Sequence, residues 1–247
     1  MEGRIKPSTY NAKLTGKKLL IDWLAVFSFE VVSNTPFSFK AGQYISIKVK
    51  DFLRRSYSMY NPPLELGNSF KLLVDLRPDG HGVNFLSKLD TGETIEFTGP
   101  LGKFVLPDNK PKNLVFIVTG SGVCPVNSII ETLILSSDYS NHNIYLYFGT
   151  KYKKDIIEGH KFLEYLKKGY LKEYKVALSQ ETEKDDDMVY LGRLTGLLKE
   201  FLGKKDIRRD YCFFLCGNGN MIDSVSNMLV KSQIAPGCLF TEKFYVN

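Results

Sequence analysis

Apolar positions follow two rhythms along the chain. In the first part they come in short runs without helical spacing. Residues 19–31, which include Leu20, Ile21, Trp23, Val26, Phe27, Phe29 and Val31, are rich in branched and aromatic side chains and predict β structure. Pro36 and the stretch Ala41-Gly42-Gln43 break the chain ahead of Tyr44-Ile45-Ser46-Ile47-Lys48-Val49, a clean alternating strand. A strand-like run at Arg55-Ser56-Tyr57-Ser58 ends at Pro62-Pro63, and residues 69–76 predict the next strand. Short strands at intervals of about ten residues suggest a closed antiparallel barrel. Residues 80–89 interrupt them: glycines, then apolar spacing at Val83, Leu86 and Leu89, predict a loop opening into a short helix. Thr94-Ile95-Glu96-Phe97 then leads into a predicted turn at Gly99-Pro100-Leu101-Gly102.

A polar stretch with two prolines at residues 107–112 marks a boundary. Beyond it strands alternate with helices, which predicts a parallel sheet. The expected strands are 113–119, 143–149, 174–179 and 211–217. The expected helices lie near 126–136, 160–168, 195–202 and 221–232, and the tail 240–247 is aromatic and strand-like. The expected architecture is therefore two domains, 1–108 and 109–247, an antiparallel β-barrel followed by an α/β parallel-sheet domain.

Composition narrows the chemistry. The chain has 247 residues, 43% hydrophobic and 24% charged, the balance of an ordinary globular protein. No run approaches the roughly 18 apolar residues of a membrane span, and no secretory leader is evident, so a cytoplasmic protein is expected. Four cysteines (Cys124, Cys212, Cys216 and Cys238) lack the paired spacing of a zinc or iron–sulfur site, and three scattered histidines make a histidine-centred site improbable. The net charge of +6 suits a phosphorylated ligand or an acidic protein partner as well as nucleic acid, and its basic residues are mixed with acids.

Three glycine-bearing turns and one strand carry candidate chemistry. Arg55, Tyr57 and Ser58 put a cation, a flat aromatic and a hydroxyl on one extended run, a set that suits phosphate, a planar heterocycle and a ring heteroatom, as in a phosphorylated flavin. A basic edge strand with an exposed tyrosine is the plain alternative. Gly80-His81-Gly82-Val83-Asn84 at a helix start is either an anion site or an ordinary capped helix. Val118-Thr119-Gly120-Ser121-Gly122-Val123-Cys124-Pro125 follows a buried strand and lets a backbone approach a diphosphate. Cys216-Gly217-Asn218-Gly219-Asn220-Met221 repeats that arrangement. Lys151 and Arg193 are cationic candidates for a further phosphate, or simply surface charges.

Taken together these motifs resemble the ferredoxin–NADP reductase superfamily, most nearly its compact bacterial ferredoxin/flavodoxin–NADP reductases, along nearly the whole chain. The resemblance implies an FAD-binding barrel and an NADP(H)-binding α/β domain whose final strand returns to the flavin. Through it, Arg55 would hold the FAD pyrophosphate, Tyr57 would pack on the flavin ring and Ser58 would bond near its hydride-accepting nitrogen. Gly82, Val83 and Asn84 would cradle phosphate, with Val83 standing where many relatives have a serine. Thr119, Phe244 and Tyr245 would complete the flavin contacts. Gly120, Ser121, Gly122, Val123 and Pro125 would form the nicotinamide loop. Cys216, Gly217 and Met221 match a second nucleotide motif that sets Cys216 beside the nicotinamide. Ser58, Cys216 and Glu242 would be the catalytic group, and Ser58 and Phe244 would meet the same ring system. For the NADP 2′-phosphate, Lys151 and Arg193 match two of three expected cationic positions, while Gln180 stands where an arginine is expected. The implied reaction passes hydride from NADPH to FAD and single electrons to an acidic ferredoxin or flavodoxin. An NADH-using reductase component of an oxygenase is the alternative. A monomer without bound metal, nucleic acid or membrane is expected.

Overall fold

In the computed structural model the described residues are 7–63, 68–109, 111–184, 186–204, 210–235 and 237–244. Contacts divide the chain at Leu106/Pro107, and residues Cys124–Leu135 group with the first unit.

The first unit is a six-stranded antiparallel sheet of β1 (Ser8–Ile21), β2 (Leu24–Val31), β3 (Tyr44–Lys50), β4 (Leu53–Ser58), β5 (Ser69–Asp75) and β6 (Thr94–Leu101), in the order β4-β3-β6-β1-β2-β5. Two sequence expectations change. Residues 19–31 are a hairpin, because Asp22 and Trp23 turn the chain and pair Ile21 with Leu24. Residues 99–101, expected as a turn, stay in β6, where Gly99 pairs with Ser8 and Leu101 with Tyr44. β4 and β5 are the edges of the sheet, yet Tyr60 N–H donates to Lys71 O at 2.8 Å and Asn61 Oδ1 accepts from Lys71 N–H. The sheet thus closes through the segment after β4 rather than through a sixth ladder. Inward side chains alternate along each strand and meet in one core, where Phe37, Phe70 and Phe97 pack edge to face and Leu86 and Leu89 of the helical segment join them. That segment is α1 (His81–Lys88).

The second sheet is built of β7 (Asn113–Thr119), β8 (Asn143–Thr150), β9 (Glu173–Leu178), β10 (Val189–Leu191), β11 (Tyr211–Asn218) and β12 (Leu239–Phe244), all neighbours parallel, in the order β10-β9-β8-β7-β11-β12. Strands buried on both faces read as continuous apolar runs, and β7, β8 and β11 do so. The intervening helices are α2 (Val123–Leu135), α3 (Gly159–Lys167), α4 (Leu194–Lys204) and α5 (Gly219–Lys231). α4 and α5 send Leu194, Leu197, Leu198, Phe201, Ile222, Val225 and Leu229 onto one face of the sheet, against Val115, Ile117, Tyr145, Tyr147, Phe213 and Leu215. From β7 the chain proceeds through β8, β9 and β10 in one direction, then returns to the other side of β7 for β11 and β12. The strand order therefore reverses between β7 and β8 on one side and β11 on the other, the position at which open α/β sheets bind ligands beyond the strands' carboxyl ends.

Candidate functional site

On the first unit the strand β4 separates two neighbouring arginines. Arg54 lies on the outer side and is tied down: Nη2 donates to Ser46 O and Thr98 Oγ1 at 2.9 Å, and Nη1 sits 3.2 Å from Glu96 Oε1. Arg55 faces the other way with Tyr57. Its Nη1 donates to Arg54 O at 3.0 Å, and among the described residues no carboxylate pairs with it. Tyr57 is half-buried and Ser58 is buried. Burial pushes the Tyr57 phenol up to about 12, with the Arg55 cation pulling the other way. The ring therefore stays a neutral, flat surface at any ordinary pH.

The start of α1 lies against this pair. A Cβ on Gly82 would collide with Tyr57 Oη and come 3.1 Å from Arg55 Cγ. Glycine at 82 is what lets the helix start reach the Arg55–Tyr57 face. The helix has no side-chain cap at Gly80. Asn84 N–H is spent on Gly80 O at 2.9 Å, and the Asn84 side-chain amide donates to Asp79 Oδ1 at 2.8 Å. The donors left to face an anion are therefore the N–H groups of the first turn ahead of it, those of His81, Gly82 and Val83. Val83 packs its side chain on the barrel core and offers backbone only.

Two residues not singled out from sequence hold the chain just past Ser58. Asn127 Nδ2 donates to Tyr60 O at 2.9 Å, and Ser128 Oγ donates to Asn61 O at 2.7 Å. Both are fully buried polar residues on α2. An adjacent Asn-Ser pair in such a helix was the available signal, since a buried polar group needs a partner.

On the second unit the two glycine turns interlock at the carboxyl edge of the sheet. A Cβ on Gly122 would strike the backbone of Cys216 and Gly217. Gly217, at φ +123°, lies equally close to the backbone and hydroxyl of Thr119. Thr119 Oγ1 in turn accepts from Asn218 N–H at 2.8 Å, so this candidate flavin contact ties β7 to β11. The turns differ at their helix starts. Asn218 Oδ1 caps α5 by accepting from Asn220 and Met221 N–H at 3.0 and 3.2 Å. At the first turn, Gly120-Ser121-Gly122, no side chain caps. Gly120 has φ +54° and open space where a Cβ would stand. Only this first turn keeps its donors for an anion. Val123 and Pro125 are buried behind it, Pro125 in the first helical turn where its missing N–H costs nothing. Met221 packs on the core under α5.

Register places the remaining candidates. Cys216 pairs with Val118 on one side and Glu242 on the other, and Asn218 pairs with Phe244. Paired residues of parallel strands face the same way, so Cys216 and Glu242 stand side by side. Farther along the same edge, Ser179 N–H donates to Thr150 O, Gln180 N–H to Lys151 O and Gly192 N–H to Leu178 O. These bonds set Lys151, Gln180 and Arg193 in a row just beyond β8, β9 and β10. Lys151 and Arg193 are exposed. Tyr245 lies outside the described residues. No group of three or more metal-ligating side chains occurs among the described residues, and no helix there is long and apolar enough to cross a membrane.

The residues present fit both groups implied by the sequence: an arginine and a neutral ring beside an uncapped helix start on one unit, and an open glycine turn beside a line of cations on the other. Comparison with known proteins agrees. Residues 11–106 match the oxidoreductase FAD-binding domain and residues 116–227 the oxidoreductase NAD-binding domain. The chain is 28% identical over 215 residues to the phenol 2-monooxygenase reductase component DmpP of Pseudomonas sp. (strain CF600), covering 86% of this chain and 59% of that one. It is 26% identical over 235 residues to the anthranilate 1,2-dioxygenase electron transfer component of Acinetobacter baylyi, covering 94% and 66%. The chain thus spans roughly three-fifths to two-thirds of the length of these relatives. In fold it is similar to a ferredoxin NADP+ reductase from Neisseria gonorrhoeae, with a TM-score of 0.77 at 20% identity, covering 98% of this chain and 100% of that one. The chain belongs to the ferredoxin–NADP reductase superfamily of two-domain oxidoreductases, with an FAD-binding domain followed by a pyridine-nucleotide-binding domain.

Proposed function

We propose that the protein takes hydride from NADPH onto FAD and passes electrons singly to a small acidic carrier of the ferredoxin or flavodoxin kind. The observation that carries the reading is the gathering at one sheet edge of an uncapped glycine turn, the Cys216–Glu242 pair and the row Lys151, Gln180 and Arg193. FAD, when bound, supplies the conversion of a two-electron donor into one-electron steps. The chain's own residues bind and orient. Arg55 and the α1 start take the FAD phosphates, Tyr57 packs on the ring and Ser58 bonds at its edge, with Thr119, Phe244 and Tyr245 as further flavin contacts. Gly120, Ser121 and Gly122 receive the nucleotide diphosphate. Cys216, beside Glu242, lines the reacting position. Lys151 and Arg193 take the 2′-phosphate that distinguishes NADPH.

A second reading, an NADH-using reductase component of an oxygenase, is favoured by one residue. Gln180 is neutral at the centre of the cationic row, and a missing charge-assisted contact costs on the order of 1.5–3 kcal/mol. The reductase and electron transfer components of oxygenases among its relatives support it. Anaerobic titration of the FAD-loaded chain with NADPH and with NADH decides. Bleaching of the flavin by NADPH at lower concentration supports the first reading, NADH as the better reductant replaces it with the second, and no bleaching by either refutes both. With a net charge of +6, reduction of an acidic carrier should slow steeply as salt rises. A flat response removes the carrier assignment.

A further inference from the structure

The parallel sheet carries two thiols at the edge opposite its glycine turns. β11 and β12 pair in register from Phe213 and Leu239, and the first bond of that ladder runs from Phe213 N–H to Cys238 O at 2.8 Å. Cys212 and Cys238 therefore stand side by side one residue before it. Neighbouring strands lie about 4.8 Å apart, inside the Cα separation of about 4.4–6.8 Å that a disulfide spans. Side chains at one register level face the same way, so the two thiols lie on one face of the sheet. Cys212 is 1% exposed, whereas Cys238 is partly exposed. Both line a cavity of about 460 Å³ together with Pro107, Asn109, Lys112 and Asp210. That space gives a small oxidant access to both thiols.

We propose that Cys212 and Cys238 form a reversible disulfide site, with a peroxide as oxidant and a small dithiol as reductant. Cys238 Sγ attacks one peroxide oxygen, the O–O bond breaks, and water leaves a sulfenic acid on Cys238. Cys212 Sγ then attacks that sulfur, the S–O bond breaks, and a second water departs as the S–S bond forms. The two sulfurs lose two electrons in all, the peroxide gains them, and both thiol protons end in water. Burial pushes the Cys212 thiol up, which leaves the first attack to Cys238 and the resolving step to Cys212. Reduction by a dithiol returns both S–H groups and leaves the reductant as a disulfide. The link would fasten the start of β12, the strand that carries Glu242 and Phe244, to β11, which carries Cys216.

The inference stands apart from the proposed reaction, and its test reads sulfur chemistry directly. The full chain is treated with stoichiometric hydrogen peroxide, denatured, alkylated and mapped by mass spectrometry. The expected result is loss of two of the four alkylatable thiols, an intact mass before alkylation lower by about 2 Da, and one linked peptide pair holding Cys212 and Cys238, all reversed by dithiothreitol. In Cys238→Ala, Cys212 should remain alkylatable after peroxide. Four thiols still alkylated, a sulfinic acid on Cys238 (about 32 Da heavier) with Cys212 free, a link to Cys124 or Cys216, or a link between two chains would each overturn the proposal.

Discussion

Replacing Gly82 with alanine tests the flavin half of the proposed site with one methyl group. That methyl would collide with Tyr57 Oη and stand 3.1 and 3.2 Å from Arg55 Cγ and Cβ. These neighbours are side chains, so the fold can yield by turning the phenol and shifting the arginine stem. Helix propensity gains up to about 1 kcal/mol from Gly→Ala, while crowding costs about 1–3 kcal/mol. The stability of the FAD-free chain should therefore fall by no more than about 3 kcal/mol. Flavin binding should change more. Displacing Arg55 forfeits a charge-assisted bond to phosphate worth about 1.5–3 kcal/mol, which weakens FAD binding roughly 10- to 150-fold. Gly80→Ala is the matched control: it lies two residues earlier at φ −126°, with open space around its Cβ position. The assay is titration of FAD into the flavin-free chain, followed by fluorescence, beside urea unfolding of the same samples. FAD binding by Gly82→Ala as tight as wild type, or an equal loss in Gly80→Ala, would refute the reasoning.

Three further outcomes follow from the geometry. Gln180→Arg, whose backbone is bonded to Lys151 O, should raise the preference for NADPH over NADH about tenfold or more; Arg193→Ala should lower it, and steady-state KM values that move in neither variant remove this row from nucleotide selection. Gly217→Ala combines a backbone angle of +123° with a collision against Thr119, costing roughly 2–6 kcal/mol; a loss below 1 kcal/mol in chemical denaturation would contradict the packing. Burial raises Tyr57 and Tyr145 to about 12 and also pushes up Tyr147 and Tyr174. Because the unfolded chain deprotonates first, the stability held below pH ~10 is lost as pH climbs toward 12, by roughly 3 kcal/mol for Tyr57 alone. Alkaline spectrophotometric titration should show these phenolates arriving together with unfolding, and their appearance near pH 10 in the folded chain would count against it.

The parallel-sheet half was legible almost strand by strand, because strands buried on both faces write uninterrupted apolar runs such as residues 113–119 and 211–217. β10 escaped because three residues make no pattern. In the barrel, the hairpin at Asp22-Trp23 carries neither glycine nor proline, so residues 19–31 read as one run. β1 reaches back to Ser8, where Tyr10, Ala12 and Leu14 alternate with exposed neighbours, a signal present in the sequence but not used. Candidate residues stood out in the sequence where the pattern is local, as at Arg55 and Tyr57 or Gly120 and Gly122. They were not where it depends on register. Nothing local says that Arg54 is consumed by Ser46, Thr98 and Glu96, that Cys216 neighbours Glu242, or that Cys212 neighbours Cys238. The Asn218 cap was readable from the residue type alone, and it shows why two similar glycine turns are unequal.

The interlocked turns also bear on how such a protein can be re-engineered. With Gly122 seated on the Cys216–Gly217 backbone and Gly217 on Thr119, neither turn has a shape of its own to transplant. Grafting a nucleotide loop from a relative at residues 119–122 would import a surface cut to fit a different partner, and the mismatch would fall on main chain, which cannot rotate out of the way. The workable module is the pair, residues 118–123 with 215–219, exchanged together. The row proposed for the 2′-phosphate, Lys151, Gln180 and Arg193, is attached to other strands, so substitutions there leave that joint undisturbed.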